Sequence, residues 1–227
     1  MANFHYEIND GVTVISWNTP TRNMNIMDLQ SLSDLEIKID KALSDNDVIG
    51  VIITSGKSNF SGGLDLGCIS KIPGIISENY QVNLFKGLKV FTNLTRKIEL
   101  AGINNKDTGG KPIVCTLDGD ALGVGFGIAL SCHKIFVSDN PIGKLGFPDI
   151  LIGMPPVAGS ISRLIRKIDK DLCVSLLQDG EYINFENAIK HGLVDEMKSS
   201  DELIPFAMQW IKSNLKKNII KPWDMER

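Results

Sequence analysis

Residues 116–132, TLDGDALGVGFGIALSC, constrain the fold of this chain most tightly. The apolar run 112–117 leads into Asp118-Gly119-Asp120, a turn composition. Glycine then occupies every second position, at Gly123, Gly125 and Gly127, before the small-residue run Ile128-Ala129-Leu130-Ser131-Cys132. A strand, a glycine-rich turn and a small-residue helix start leave backbone N–H groups facing open space. The first helical N–H groups have no intrahelical partner, and the helix dipole is positive there. Such a place suits a ligand oxygen carrying negative charge.

The rest of the chain reads as a frame for this turn. Residues 4–8 and 12–17 are β-type runs separated by Asn9-Asp10-Gly11, a hairpin signal. Asp28 can cap a helix whose apolar positions are Leu29, Leu32, Leu35 or Ile37, Ile39 and Leu43, and Asp45-Asn46-Asp47 stops it. Residues 48–54, VIGVIIT, form a continuous β-branched run, as expected of a strand buried on both faces. Leu84, Leu88, Phe91, Leu94 and Ile98 give residues 84–100 an amphipathic helical face. The polar, glycine-rich segment 101–110 reads as a loop. Further on, the pattern predicts a strand at 134–137, a turn at 139–141, and no regular element over the Pro- and Gly-rich segment 145–156. It then predicts a helix at 158–168, a short helix at 184–190, a short strand at 193–196 and an amphipathic helix at 202–215. Residues 216–227 are charged, broken by Pro222, and show no pattern. Strands and helices in this order predict an α/β protein.

Composition narrows the function classes. At 227 residues a single domain is the default. The net charge of −3, with both signs mixed along the chain, offers no case for nucleic acid or an anionic membrane surface. No apolar run approaches the ~18 residues of a membrane span. MANFHYEIND carries neither a basic region nor an apolar core, so no signal peptide is expected and the chain reads as cytoplasmic. Cys68, Cys115, Cys132 and Cys173 are scattered through apolar contexts without a CxxC pair, and read as reduced, buried small hydrophobes. With three histidines, His5, His133 and His191, a metal site or a His-based triad has little to draw on, and no metal is expected.

Two chemistries compete for the glycine turn. A dinucleotide fingerprint needs G-x-G-x-x-G on the first βαβ unit, but here the third glycine comes one residue early and Ile128 stands in its place. The alternative uses a second loop, Gly62-Gly63-Leu64, which follows the buried strand 48–54. Taken alone, that loop reads as a surface turn using glycine at positive φ. If the two loops meet, the N–H groups of Leu64 and Val124 converge on one oxygen, an oxyanion hole for a thioester enolate. Asp149, on the turn Phe147-Pro148-Asp149, is then the candidate acid or base. On its own it reads equally as a turn or cap aspartate.

The sequence resembles the enoyl-CoA hydratase/isomerase, or crotonase, superfamily. FSGGLDL at 60–66 is similar to its FSAGADL-type loop, residues 118–140 to its NGxALGGGxELALACDxRxA stretch, and residues 145–168 to FGxPEvxlGlxPGxGGtxRLpRlvG. Residues 184–197 resemble its A…GLVdxvv segment, and the likeness is collinear over roughly residues 4–212. It implies a crotonase (ClpP/crotonase-like) α/β spiral of ββα units with flanking helices. It also implies an acyl-CoA-binding domain over 1–212, with 213–227 as a linker or truncated extension like that following the hydratase part of bacterial fatty-acid-oxidation multifunctional α subunits. The expected partners are an acyl-CoA substrate, with coenzyme A as part of the substrate and no separate cofactor, and further copies of the chain in trimer-type association. Neither nucleic acid nor membrane is expected as a partner.

Carried over residue by residue, the resemblance puts the oxyanion donors at Leu64 and Val124 and lines the substrate site with Gly62, Gly63, Gly123, Gly125 and Gly127. The second family glutamate falls on Asp149, one methylene shorter, and the first falls on Gly127, where no carboxylate is present. Val124 replaces a family glycine and is expected to crowd the turn, and Lys57 is a candidate for a CoA phosphate or a solvated lysine. Asp65, Asp118 and Asp120 are expected to serve as turn and cap residues. Hydration uses two carboxylates to hold and activate one water, whereas moving a double bond from position 3 to position 2 needs one base. The chain is therefore expected to be an isomerase-like enoyl-CoA hydratase/isomerase of fatty-acid β-oxidation. The alternative is a catalytically weakened acyl-CoA-binding or assembly module.

Overall fold

The computed structural model describes residues 3–67, 78–101, 110–215 and 219–225. Strands β1 (Phe4–Asn9) and β2 (Val12–Trp17) pair antiparallel through a two-residue turn. Asp10 and Gly11 both have positive φ there, 49° and 79°, as a type I′ hairpin turn requires. β3 (Gly50–Ser55), β4 (Ile113–Leu117), β6 (Lys134–Ser138) and β9 (Glu196–Lys198) extend this sheet in parallel, giving the order β1-β2-β3-β4-β6-β9. A second, three-stranded sheet is built from β5 (Ala121–Leu122), β7 (Lys144–Gly146) and β8 (Tyr182–Asn184) in the order β5-β7-β8.

The unbroken apolar run before Ser55 now has its reason. Val51 and Ile53 point into the main core with α1 (Leu29–Ser44) and α2 (Tyr80–Leu100). Ile52, with Val12, Val114 and Phe136, points to the opposite face, which Leu203, Ala207 and Ile211 of α7 (Leu203–Asn214) cover. Both faces of the central strands are dry, so alternation disappears from the sequence. Asp28 caps α1 by accepting a hydrogen bond from the Ser31 N–H at 2.7 Å. Of the two apolar alternatives on that helix, Leu35 is fully buried and Ile37 is 63% exposed.

Several expectations need correction. The helix expected over 158–168 is only α4 (Ser160–Leu164), because Ala158 (φ 61°) and Gly159 (φ 68°) are left-handed and cannot belong to it. The segment 145–156 does hold regular structure: part of β7, and a 3₁₀ helix Pro148–Ile152 that starts on proline, whose missing N–H costs nothing at that position. The last strand is Glu196–Lys198 rather than 193–196, since Leu193 and Val194 are taken into the core before the chain reaches the sheet. Helix α2 begins at Tyr80, four residues before the expected 84. β5, β8 and α5 (Lys170–Leu177), the last capped by Asp169, had no expectation. The 184–190 expectation corresponds to α6 (Phe185–Lys190), capped by Asn184. Cys115, Cys132 and Cys173 are free and buried; Cys68 and nearly all of the 101–110 loop lie outside the described residues. Among the described residues no helix is long and apolar enough to cross a membrane, and no His/Cys/Asp/Glu group is arranged to hold a metal ion.

Candidate active site

The two glycine loops meet. The Phe60 and Ser61 N–H groups both donate to Asp120 O (2.9 and 3.0 Å), and Leu122 N–H returns a bond to Ser61 O at 2.9 Å. On the other side, Met27 N–H donates to Gly63 O (2.9 Å) and Asp65 N–H to Met27 O (2.8 Å), holding Leu64 in a bridge with Met27. Gly63 (φ 102°) lies so close to the second loop that a Cβ there would stand 3.8 Å from Gly123 Cα. Gly62 is the more confined, since a Cβ there would meet Met24 Sδ at 2.5 Å. Val124 is the first residue of α3 (Val124–Ser131), where the helix dipole is positive. Neither the Val124 N–H nor the Leu64 N–H meets an acceptor among the described residues. The Val124 side chain is buried with the main core.

Each glycine of the 123–127 ladder is held by a different neighbour. Gly123 (φ 53°) abuts the Asp149 carboxylate, which would lie 2.7 Å from a Cβ there. At Gly125 a Cβ would stand 2.3 Å from Ser61 Cβ, and at Gly127 it would stand 2.5 Å from Ser160 Oγ. Ser61 Oγ also accepts the Gly63 N–H at 3.0 Å, so it both packs against α3 and fixes the direction of the 62–64 backbone. Sequence reasoning missed Ser61 and Ser160, because their partners lie more than thirty residues away along the chain.

Asp149 arrives from the second sheet. Gly123 N–H donates to Gly146 O at 2.9 Å, and Leu122 pairs with Gly146. Phe147, buried and 5.1 Å from the Phe126 ring, anchors the turn that starts the 3₁₀ helix. The Asp149 side chain is buried, and its Oδ2 meets no hydrogen-bond donor among the described residues. Burial pushes its pKa up, with its own backbone N–H acting weakly in the opposite sense. A carboxylate with one uncommitted oxygen and raised basicity therefore stands beside the residue that precedes the Val124 N–H.

Of the three aspartates expected as turn and cap groups, Asp65 closes a local turn, whereas Asp120 and Asp118 join distant segments. Asp120 accepts the Lys144 N–H (2.9 Å), Asp65 accepts the Gly67 N–H (2.9 Å) and Arg22 (3.2 Å), and Asp118 accepts the Ser200 hydroxyl (2.7 Å). Lys57 donates to Arg22 O at 2.8 Å near the first loop.

A second polar centre, away from the glycine turn, has no counterpart in the sequence expectations. Glu99, at the end of α2, receives Arg163 through both carboxylate oxygens (3.0 and 3.1 Å), Arg96 at 2.5 Å and the Trp223 indole N–H at 3.2 Å. Arg96 in turn holds Asp224 by two bonds of 2.7 and 2.6 Å. Burial disfavours the Glu99 charge, but the two arginines outweigh it and hold its pKa below the ordinary carboxylate value. The one sequence signal was a glutamate next to Ile98 on an otherwise apolar stripe. Lys221 is buried and donates to Cys132 O at 2.5 Å, and a 3₁₀ turn, Pro222–Asp224, seats Trp223 and Asp224 on α2.

Two glycine loops in contact, each with a backbone N–H that meets no acceptor among the described residues, thus lie beside a buried carboxyl group. The family model for enoyl-CoA hydratase/isomerase matches residues 7–222, and the chain belongs to that family. The fatty acid oxidation complex subunit alpha of Shewanella amazonensis is 27% identical over 201 residues, covering 88% of this chain and 26% of that protein. The Arabidopsis thaliana peroxisomal fatty acid beta-oxidation multifunctional protein MFP2 is 29% identical over 215 residues, covering 94% of this chain and 27% of its own. The chain thus spans about a quarter of the length of these relatives. Among solved structures, an enoyl-CoA hydratase from Thermoplasma volcanium superposes with a TM-score of 0.79 at 21% identity, covering 96% of this chain and 79% of that one. Pseudomonas aeruginosa DspI gives 0.78 at 19% identity, covering 97% and 83%. The fold is the crotonase α/β spiral.

Proposed function

We propose that this chain binds an enoyl-CoA of fatty-acid β-oxidation and moves its double bond from position 3 to position 2, using Asp149 as the base. The uncommitted Asp149 oxygen against Gly123 carries this assignment. The thioester oxygen would accept from the Leu64 and Val124 N–H groups, between the glycines at 62, 63, 123, 125 and 127. Asp149 would take a proton from C2, leaving the negative charge on that oxygen as a dienolate, and return the proton at C4. The base ends as it began, and no water or cofactor is consumed. Each oxyanion donor is worth ~2.7–4 kcal/mol in such sites. Asp149 alone suffices for this step, whereas hydration needs a second carboxylate that Gly127 does not supply.

The test is conversion of 3-enoyl-CoA to 2-enoyl-CoA followed by ultraviolet absorbance. Turnover that disappears in Asp149→Asn supports the assignment. Absence of turnover in the wild-type protein, with tight binding of acyl-CoA by calorimetry, would instead establish the alternative of an acyl-CoA-binding or assembly module, for which the missing carboxylate at Gly127 and the valine at position 124 are the supporting observations. Trimer-type association belongs to the same proposal and is read by light scattering.

A further inference from the structure

We propose that Ser160 determines the reaction specificity of this site: its hydroxyl fills the ground that any side chain at position 127 would need, and so keeps Asp149 as the sole acid–base group facing the glycine turn. The proposal rests on the isomerase assignment above. Gly123 caps α3 with positive φ, and Gly127 stands at the fourth residue of that helix, its N–H bonded to Gly123 O at 3.0 Å. The Cβ direction of Gly123 meets Asp149, and that of Gly127 meets Ser160 Oγ at 2.5 Å, Ala158 Cβ at 3.2 Å and Val157 O at 3.6 Å. A side chain at 127 would therefore leave the helix straight into Ser160.

Ser160 is tied to its own loop. It is fully buried, and its hydroxyl and backbone N–H both donate to Val157 O, at 2.6 and 3.2 Å. The loop behind it is fixed as well. Ala158 O accepts from Thr95 Oγ1 at 2.8 Å and from Arg163 Nη1 at 2.7 Å, and that arginine is locked onto Glu99. The serine proton is committed to Val157 O, so the hydroxyl offers no second proton carrier. Adding water to a 2-enoyl thioester requires one group to remove a proton from water and another to deliver one to C2. A site restricted to Asp149 by Ser160 favours the 3-enoyl thioester, whose C2 proton can leave and return on one carboxylate.

A double-mutant cycle tests this with two readouts. Gly127→Ala is expected to lower Tm, and adding Ser160→Gly to recover at least half of the loss. Gly127→Glu combined with Ser160→Gly is expected to raise kcat for hydration of a 2-enoyl-CoA at least tenfold over Gly127→Glu alone. The steric pairing is overturned if Gly127→Ala melts with the wild type, or if Ser160→Gly recovers nothing. The specificity role is overturned if Gly127→Glu alone hydrates as fast as the double variant. A wild-type protein that isomerises no 3-enoyl-CoA defeats the functional assignment by itself, while the melting cycle and the hydration gain still decide on Ser160.

Discussion

Asp149 has to ionise where solvent scarcely reaches it, and the fold bears that cost. A carboxyl group whose pKa is raised by folding favours the native state below its unfolded pKa, and the advantage is lost as pH rises through the higher native value. At pH 7 the charge is therefore a liability, and Asp149→Asn is expected to raise Tm at pH 7 while lowering kcat by about 10²–10⁴-fold; the Tm gain should vanish below pH 4. The rate of the wild-type enzyme should rise with pH through a midpoint above the ordinary value of 3.8. His133 works in the opposite sense. Burial, helped by the Lys221 ammonium, lowers its pKa from 6.5 to about 4. Its Nδ1 accepts the Ile113 N–H (2.9 Å). The unfolded chain takes up a proton at His133 that the folded one refuses, so stability is lost as pH falls from 6.5 towards 4, by roughly 3 kcal/mol at about 1.4 kcal/mol per pKa unit. Urea denaturation at pH 7 and pH 4.5 should show this loss, and His133→Gln should shrink it. At this scale the turns that carry Leu64, Val124 and Asp149 were legible, because turn chemistry is local, while the roles proposed for them came from the resemblance. It was silent on Ser61 and Ser160, whose roles exist only once α3 lies against loops far off in the chain.

Among the elements, α1 shows how far periodicity reaches. Its cap and end were legible because Asp28 and Asp45 act within one turn of themselves. The choice between Leu35 and Ile37 was not, since both fit an apolar stripe until β1 and α2 take their places. The two residues separate sharply in consequence. Leu35→Ala is expected to cost about 2–5 kcal/mol in chemical denaturation, as a fully buried leucine leaves a cavity. Ile37→Ala should stay within about 0.5 kcal/mol. The short elements escaped for a related reason. β5 has two residues and β8 three, and neither carries a period of its own; they exist because β7 lies between them. α4 is cut short by left-handed backbone at Ala158, which no alanine announces in sequence.

Across the whole molecule, the Glu99 centre ties α2, α4 and the 221–224 turn together. Its members differ in how much they can lose. Glu99→Ala strands Arg163, only 5% exposed at the side chain, and should cost about 3–5 kcal/mol. Asp224→Ala leaves Arg96 its bond to Glu99 and a side chain 32% exposed that can rehydrate, so its cost should be smaller than that of Glu99→Ala. Thermal unfolding of the two variants side by side measures the difference. The centre joins residues 128 positions apart, and that separation has a bearing on biosynthesis. A ribosome delivers Arg96 and Glu99 long before Trp223 and Asp224. Until the latter emerge, α2 carries a buried-to-be carboxylate with an incomplete shell. The nascent chain can assemble its hairpin, α1 and the parallel strands in order of synthesis, but α2 reaches its final setting only when residue 224 has cleared the exit tunnel.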